Sequence, residues 1–278
     1  MNAKRILLSA AVLTLAGCTF LTAAGLNLDV DQAKSALVTG AVKAGAAQLP
    51  IGLEEERAYG GAIAVKIVQK YGGLDEEPKR LQYVLRVGQA VAAYSARPAL
   101  DYHFAVLNSD SVQALSAPGG YVFVTRGALK KMHSEAQLAG VLAHEVAHIA
   151  AKHALGIIQN VKSRQAMTDA AADAWKGAAA FQGVIGKFLD DYLEQGLPQD
   201  TEFEADRLGT ETLARVGWAP AGLRDFLKTL AADEASATGD AFYKTHPKTA
   251  DRVTKLDVQV SGLGDGVTNE ARFQAAIP

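Results

Sequence analysis

One cysteine, Cys18, stands in a chain of 278 residues. That scarcity excludes an internal disulfide framework and a Cys-rich zinc ribbon. Aromatics make up only 7% of the chain, which argues against a stacking surface for single strands or sugars. The 28 basic residues are balanced by 30 acidic ones and form no long block. No nucleic-acid partner bound through phosphate neutralisation is therefore expected. The chain has no Gly-x-Ser-x-Gly elbow, no Walker loop and no complete dinucleotide-binding glycine motif. What is there, at 49% hydrophobic and 21% charged, suits a globular protein of one large domain or two small ones.

The N-terminus reads as an address. Lys4 and Arg5 precede an apolar run from Ile6 to Ala16, the pattern of a secretory signal peptide. As a helix this run is too short to cross a hydrocarbon core, and no later stretch reaches eighteen apolar residues. Leu15-Ala16-Gly17-Cys18 resembles the bacterial lipobox, so residues 1–17 are expected to be removed and Cys18 to carry lipid. Thr19 follows in place of the Asp that favours inner-membrane retention. The expected location is the cell envelope, lipid-anchored on the periplasmic face of the outer membrane. Residues 18–50, rich in Ala, Gly and Thr, read as a lipidated tether or a loosely packed leading helix.

Organised sequence starts near Leu53, where three glutamates suit a helix N-terminus, and that helix should close at Gly72-Gly73. Pro78 opens a second helix. Tyr102 to Leu107 and Tyr121 to Thr125 read as strands, with Pro118-Gly119-Gly120 turning into the second. Ser134 and Gln137 form a capping box for a long helix running to about Leu155. Two further helices are expected around 201–216 and 220–231, and residues 258–278 read as a turn and a short tail. The segment from Gly156 to Pro198 reads equally as a lid over a cleft or as helices completing the core. The expected class is α+β, mainly helical with a small sheet.

His144-Glu145-Val146-Ala147-His148 lies within the long helix. Residues i and i+4 share a helix face, so the two imidazoles can converge on one ion. At this composition such a match is expected by chance only roughly 0.006 times. Glu145 lies about 100° round the helix from His144, beside the ion, where it can take a proton from zinc-bound water. A third ligand is needed. The extended motif is absent, because positions 151 and 154 are both alanine, and His153 reads as a solvated helix-end histidine. A later helix offers Glu202 and Asp206, which share a face while Glu204 points away. One of the pair can bind the ion and the other can hold a histidine ring.

Four blocks in order then resemble peptidase family M48, the HtpX- and CaaX-prenyl-protease-like zinc metalloendopeptidases, and within it the secreted bacterial lipoprotein branch. They are Asn108 to Gly127, the Leu138 to His148 helix, Glu202-Phe203-Glu204-Ala205-Asp206, and His246-Pro247-Lys248-Thr249-Ala250-Asp251-Arg252. The resemblance covers about residues 50 to 257. It implies a gluzincin-type peptidase domain over 51–257, binding one Zn2+ through His144, His148 and Glu202. It further implies Glu145 as general base, Asp206 as partner of a ligand histidine, and His246 as stabiliser of the oxyanion. Gly120, Tyr121, Val122, Phe123 and Val124 would form an edge that pairs with an extended substrate. Gln113-Ala114-Leu115 departs from the family's usual Asn-Ala-aromatic, which alters the cleft wall. The implied activity is cleavage of unfolded or misassembled envelope proteins. The alternative is a zinc-bearing chaperone or assembly factor with restrained proteolysis.

Overall fold

A computed structural model describes residues 14–15, 18–23, 26–29, 50–170, 177–234, 246 and 249–277. Most of the signal-peptide segment lies outside the described residues. Short strands β1 (Thr14–Leu15), β2 (Cys18–Ala23) and β3 (Leu26–Asp29) pair antiparallel in that order. Residues 18–23 and 26–29 thus form a hairpin, and residues 30–49 of the expected tether or leading helix lie outside the described residues.

The first two helices follow their sequence signals. Helix α1 (Leu53–Lys70) carries Glu54, Glu55 and Glu56 in its first turn, where carboxylates face the positive end of the helix dipole. It gives way to Gly72 and Gly73, both at positive φ. Helix α2 (Pro78–Ala93) starts on its proline, and the Glu77 side chain accepts from the Lys79 amide.

The sheet has three strands: β4 (His103–Leu107), β5 (Ala114–Ala117) and β6 (Tyr121–Thr125), in the order β4-β6-β5. Strand β6 runs parallel to β4 and antiparallel to β5. It is therefore the central strand, with both edges taken. This corrects the expectation that Gly120 to Val124 present a free edge to substrate: among the described residues, the strand with an unpaired edge beside the metal helix is β5. Phe104, Val106, Val122 and Val124 face one apolar cluster, while Ala105, Leu107, Tyr121 and Phe123 face another. Alternate side chains are buried on both faces, which explains why β6 reads as an unbroken apolar run.

Helix α4 (Glu135–Ala150) follows the short α3 (Arg126–Lys131) and is buried from Glu135 to Ile149. The Ser134 hydroxyl accepts from the Gln137 amide, and Gln137 Oε1 accepts in return from the His133 amide. Helices α7 (Gln199–Val216) and α8 (Gly222–Glu234) pack against α4. A Cβ at Gly209 of α7 would come within 3.0 Å of the His144 amide nitrogen, so its absence lets α7 lie close against the metal helix. Helices α5 (His153–Ala170) and α6 (Gly177–Gln195) complete the second cluster through Leu155, Ile158, Phe181, Val184 and Phe188. The described parts of the segment 156–198 thus contribute side chains to the core.

Two buried carboxylates fix the ends of α4. Glu56 takes both Arg97 Nη atoms (2.8 and 3.0 Å) and the Gly119 amide (3.1 Å), while Arg97 Nη1 also donates to the Ile149 carbonyl (3.2 Å). Glu135 receives Tyr83 Oη (2.5 Å), Trp218 Nε1 (2.8 Å), Asn269 Nδ2 (2.9 Å) and the Arg272 guanidinium. The last two come from the C-terminal segment, where α10 (Glu270–Ala276) follows α9 (Thr249–Val260) and buries Phe273. What reads as a tail is fastened to the start of the metal helix.

Burial pushes the Glu135 carboxyl up, but hydrogen bonds from Arg272, Tyr83, Trp218 and Asn269 outweigh it and hold the group below its usual 4.5. A depressed carboxylate stabilises the fold fully above its unfolded value, and that stability is lost as pH falls through the folded value. Denaturant titrations of the wild type and Glu135→Gln should therefore differ most near neutral pH and converge on acidification. A gap that stays constant down to about pH 3 would contradict this.

Candidate metal centre

Helix α4 supplies His144 and His148, one turn apart, and their Nε2 atoms converge to 3.0 Å. Helix α7 brings Glu202 opposite them, with Oε2 at 3.5 Å from His144 Nε2 and Oε1 at 3.3 Å from His148 Nε2. His246 completes the group: its Nδ1 lies 3.0 Å from Glu202 Oε2. These four side chains are buried, and each offers one donor atom within 4.8 Å of the others.

The donor set fits a divalent cation. Glu145, Glu202 and Asp206 are three buried carboxylates facing one buried guanidinium, Arg252, and the His144 imidazole, a surplus of negative charge at a buried site. Unpaired charge at such depth is costly, and a bound dication removes the cost. Glu202 Oε1 and Glu145 Oε2 accept no hydrogen bond although both are buried. Two imidazoles and a carboxylate suit Zn2+.

The surrounding groups orient the donors. Asp206, one turn after Glu202, takes His144 Nδ1 at 2.9 Å. Arg252 of α9 grips Asp206 with two bonds of 2.8 and 2.7 Å and reaches Glu202 Oε2 at 3.2 Å. Burial and the Arg252 charge both disfavour a protonated His144, yet its hydrogen bonds to Asp206 and Glu202 outweigh them and raise it to about 9. Burial and the neighbouring His144 lower His148 to about 4. Against burial, the charges of His246, Arg252 and His148 hold Glu202 well below the usual carboxylate range.

Of the residues singled out in the sequence, His144, Glu145, His148, Glu202, Asp206 and His246 meet here. The choice between Glu202 and Asp206 is settled by geometry: Glu202 faces both Nε2 atoms and Asp206 backs an Nδ1. His246 Nε2 lies 3.5 Å from Glu145 Oε1 and 3.3 Å from the Ala114 carbonyl of β5. Gly120 ends the turn before the central strand, and Tyr121 to Val124 lie within that strand. Cys18 begins β2.

The model of Peptidase family M48 matches residues 78–260. The chain belongs to peptidase family M48. Its metallopeptidase site of His144, His148 and Glu202 is intact. This M48 chain is similar to the beta-barrel assembly-enhancing protease of Escherichia coli K12, at 26% identity over 198 residues, covering 67% of this chain and 40% of that protein. It is similar also to the mitochondrial metalloendopeptidase OMA1 of Schizosaccharomyces pombe, at 26% over 211 residues, covering 74% and 61%. Metalloprotease YcaL of E. coli K12 is 27% identical over 156 residues, covering 55% and 60%. The chain thus spans less than half the length of its beta-barrel assembly-enhancing relative. Among the described residues no helix is long and apolar enough to cross a membrane.

Three residues beside the site have roles that the sequence reading did not assign. Arg252 sits at the end of the His246 block, six residues on, and its role shows only once α9 docks on α7. Tyr192 of α6 brings its hydroxyl to 3.5 Å from the Ser116 amide on the outer edge of β5. His153 is not solvated: its side chain is 6% exposed and its Nδ1 lies 2.8 Å from His148 Nδ1.

Glu202→Ala should lose metal affinity by more than Glu204→Ala does, because Glu204 meets His153 rather than the donor cluster and is half exposed. Chelator competition on the two variants decides it, and equal affinities would remove Glu202 from the ligand set.

Proposed function

We propose that this protein is a zinc endopeptidase of the cell envelope that cuts unfolded or misassembled proteins, held at the membrane by lipid on Cys18. The observation that carries the reading is the buried His144, His148, Glu202 and His246 cluster, with the Glu145 carboxylate beside it and unengaged at Oε2. Zinc bound there supplies a Lewis acid that polarises water and the scissile carbonyl.

The chain's own groups do the rest. Glu145, adjacent in sequence to a ligand but turned off the ligand face, accepts the proton of the attacking water and passes it to the leaving amine. His246 donates to the developing oxyanion, having let go of the Ala114 carbonyl. The outer edge of β5 receives the extended peptide by strand addition. Ala114 and Ser116 direct their polar groups to that edge, and they now meet the His246 imidazole and the Tyr192 hydroxyl. A peptide must take both places, so the site favours flexible, unfolded chains over folded ones. Such selection agrees with relatives whose names concern β-barrel assembly and mitochondrial proteolysis.

The test is mass spectrometry of an unfolded β-barrel protein incubated with the wild type and with Glu145→Gln. Internal cleavage by the wild type alone supports the proposal. Undiminished suppression of aggregation by the variant, with no cleavage by either, would favour the chaperone reading. For the anchor, Cys18→Ser should shift the protein from the membrane to the soluble fraction or leave its signal uncleaved. Unchanged membrane attachment would contradict lipidation there.

A further inference from the structure

We propose that His153, backed by Glu204, is a positioning residue that holds the imidazole of His148 in one tautomer and one orientation. The break between α4 and α5 brings it there. The inference rests on the metal-centre reading above and adds a pair of residues to it.

The backbone gives the first observation. In an uninterrupted helix, residue 153 would lie about 140° round the axis from residue 148 and could not reach it. Helix α4 instead stops at Ala150, and Lys152 takes φ +63° before α5 starts on His153. A left-handed conformation is disfavoured at a residue with a Cβ. The fold sustains it at Lys152, and the result is that His153 turns back under the metal helix.

The ring atoms give the second. His148 Nε2 faces His144 and Glu202, so it is the nitrogen that must be free of a proton to bind metal. His148 Nδ1 therefore keeps its hydrogen. The Nδ1 atoms of His148 and His153 are 2.8 Å apart, a distance at which one must donate and the other accept. His148 donates, and His153 accepts on Nδ1. The hydrogen of neutral His153 then sits on Nε2, which faces Glu204 Oε2 at 3.3 Å. A single assignment satisfies both contacts of His153 with both rings neutral, and leaves His148 Nε2 free of a proton for the metal. His144 is held at its own Nδ1 directly by Asp206, so each ligand imidazole has its rear nitrogen fixed by a different device. Fixing the ring in this way raises metal affinity. Glu204 is 50% exposed at its side chain, and its share is screened by solvent.

Zinc competition against a chromophoric chelator, with the full chain, tests the idea. His153→Phe should weaken zinc binding by roughly 10–100-fold, the usual cost of losing such a partner. His153→Asn places an oxygen near the lost Nδ1 and should recover most of the affinity, although it cannot reach Glu204. Unfolding of each metal-free variant shows whether it is folded. A second reading needs no variant: nitrogen NMR of the zinc-loaded wild type should find His148 protonated at Nδ1 and His153 at Nε2. Wild-type affinity in His153→Phe, equal weakening in His153→Asn and His153→Phe, or the opposite tautomers would each overturn the proposal. If Glu202→Ala binds zinc as the wild type does, the metal-centre reading itself has failed.

Discussion

Glu145→Gln is expected to lower peptide-bond hydrolysis by ~10²–10⁴-fold, the usual range for removing a general base. The metal should stay. Glu145 is buried on α4 between two ligands, but its carboxylate lies beside the cluster of donors rather than within it. Gln keeps the shape and one acceptor oxygen, and it cannot take a proton. The variant should therefore bind one zinc per chain and unfold at nearly the wild-type temperature. Metal analysis of the purified variant beside its turnover separates the two roles. Loss of zinc together with activity would make Glu145 a ligand.

Arg252→Ala is expected to destabilise the fold by about 3–5 kcal/mol, as when one member of a buried ion pair is removed. Its guanidinium is fully buried, bidentate on Asp206 and within 3.2 Å of Glu202. Removing it leaves two buried carboxylates without this cation. Arg252→Lys keeps the charge but loses the planar fork that matches Asp206, and should recover only part of the loss. Zinc should rescue the metal-free variant partly, because a dication offsets the same surplus charge. Thermal unfolding with and without zinc reads both effects. A variant as stable as wild type in the absence of metal would show that Asp206 and Glu202 are not held by this cation.

The features legible in the sequence are those whose determinants are local. The spacing of His144 and His148, the Ser134–Gln137 cap, the shared face of Glu202 and Asp206, and the proline and glycine boundaries of α1 and α2 all read correctly for that reason. The features that were hidden depend on what a segment packs against. Strand β5 is Ala-Leu-Ser-Ala, with no β-former to announce it, and exists through its pairing with β6. The position of β6 in mid-sheet follows from that unseen neighbour. Lys152 gives no warning of a positive φ, so the sequence reads as one long helix to Leu155 with His153 at solvent. The C-terminal segment looked loose because its anchors, Asn269 and Arg272, meet a carboxylate more than a hundred residues away.

Zinc titration of the metal-free protein, followed by cleavage of an unfolded substrate, tests most directly whether one ion in this cluster does the chemistry. The account predicts no hydrolysis without metal, a linear return on adding zinc, and a plateau at one ion per chain. Hydrolysis that survives complete removal of the metal, or no hydrolysis from a folded and fully loaded protein, would contradict it.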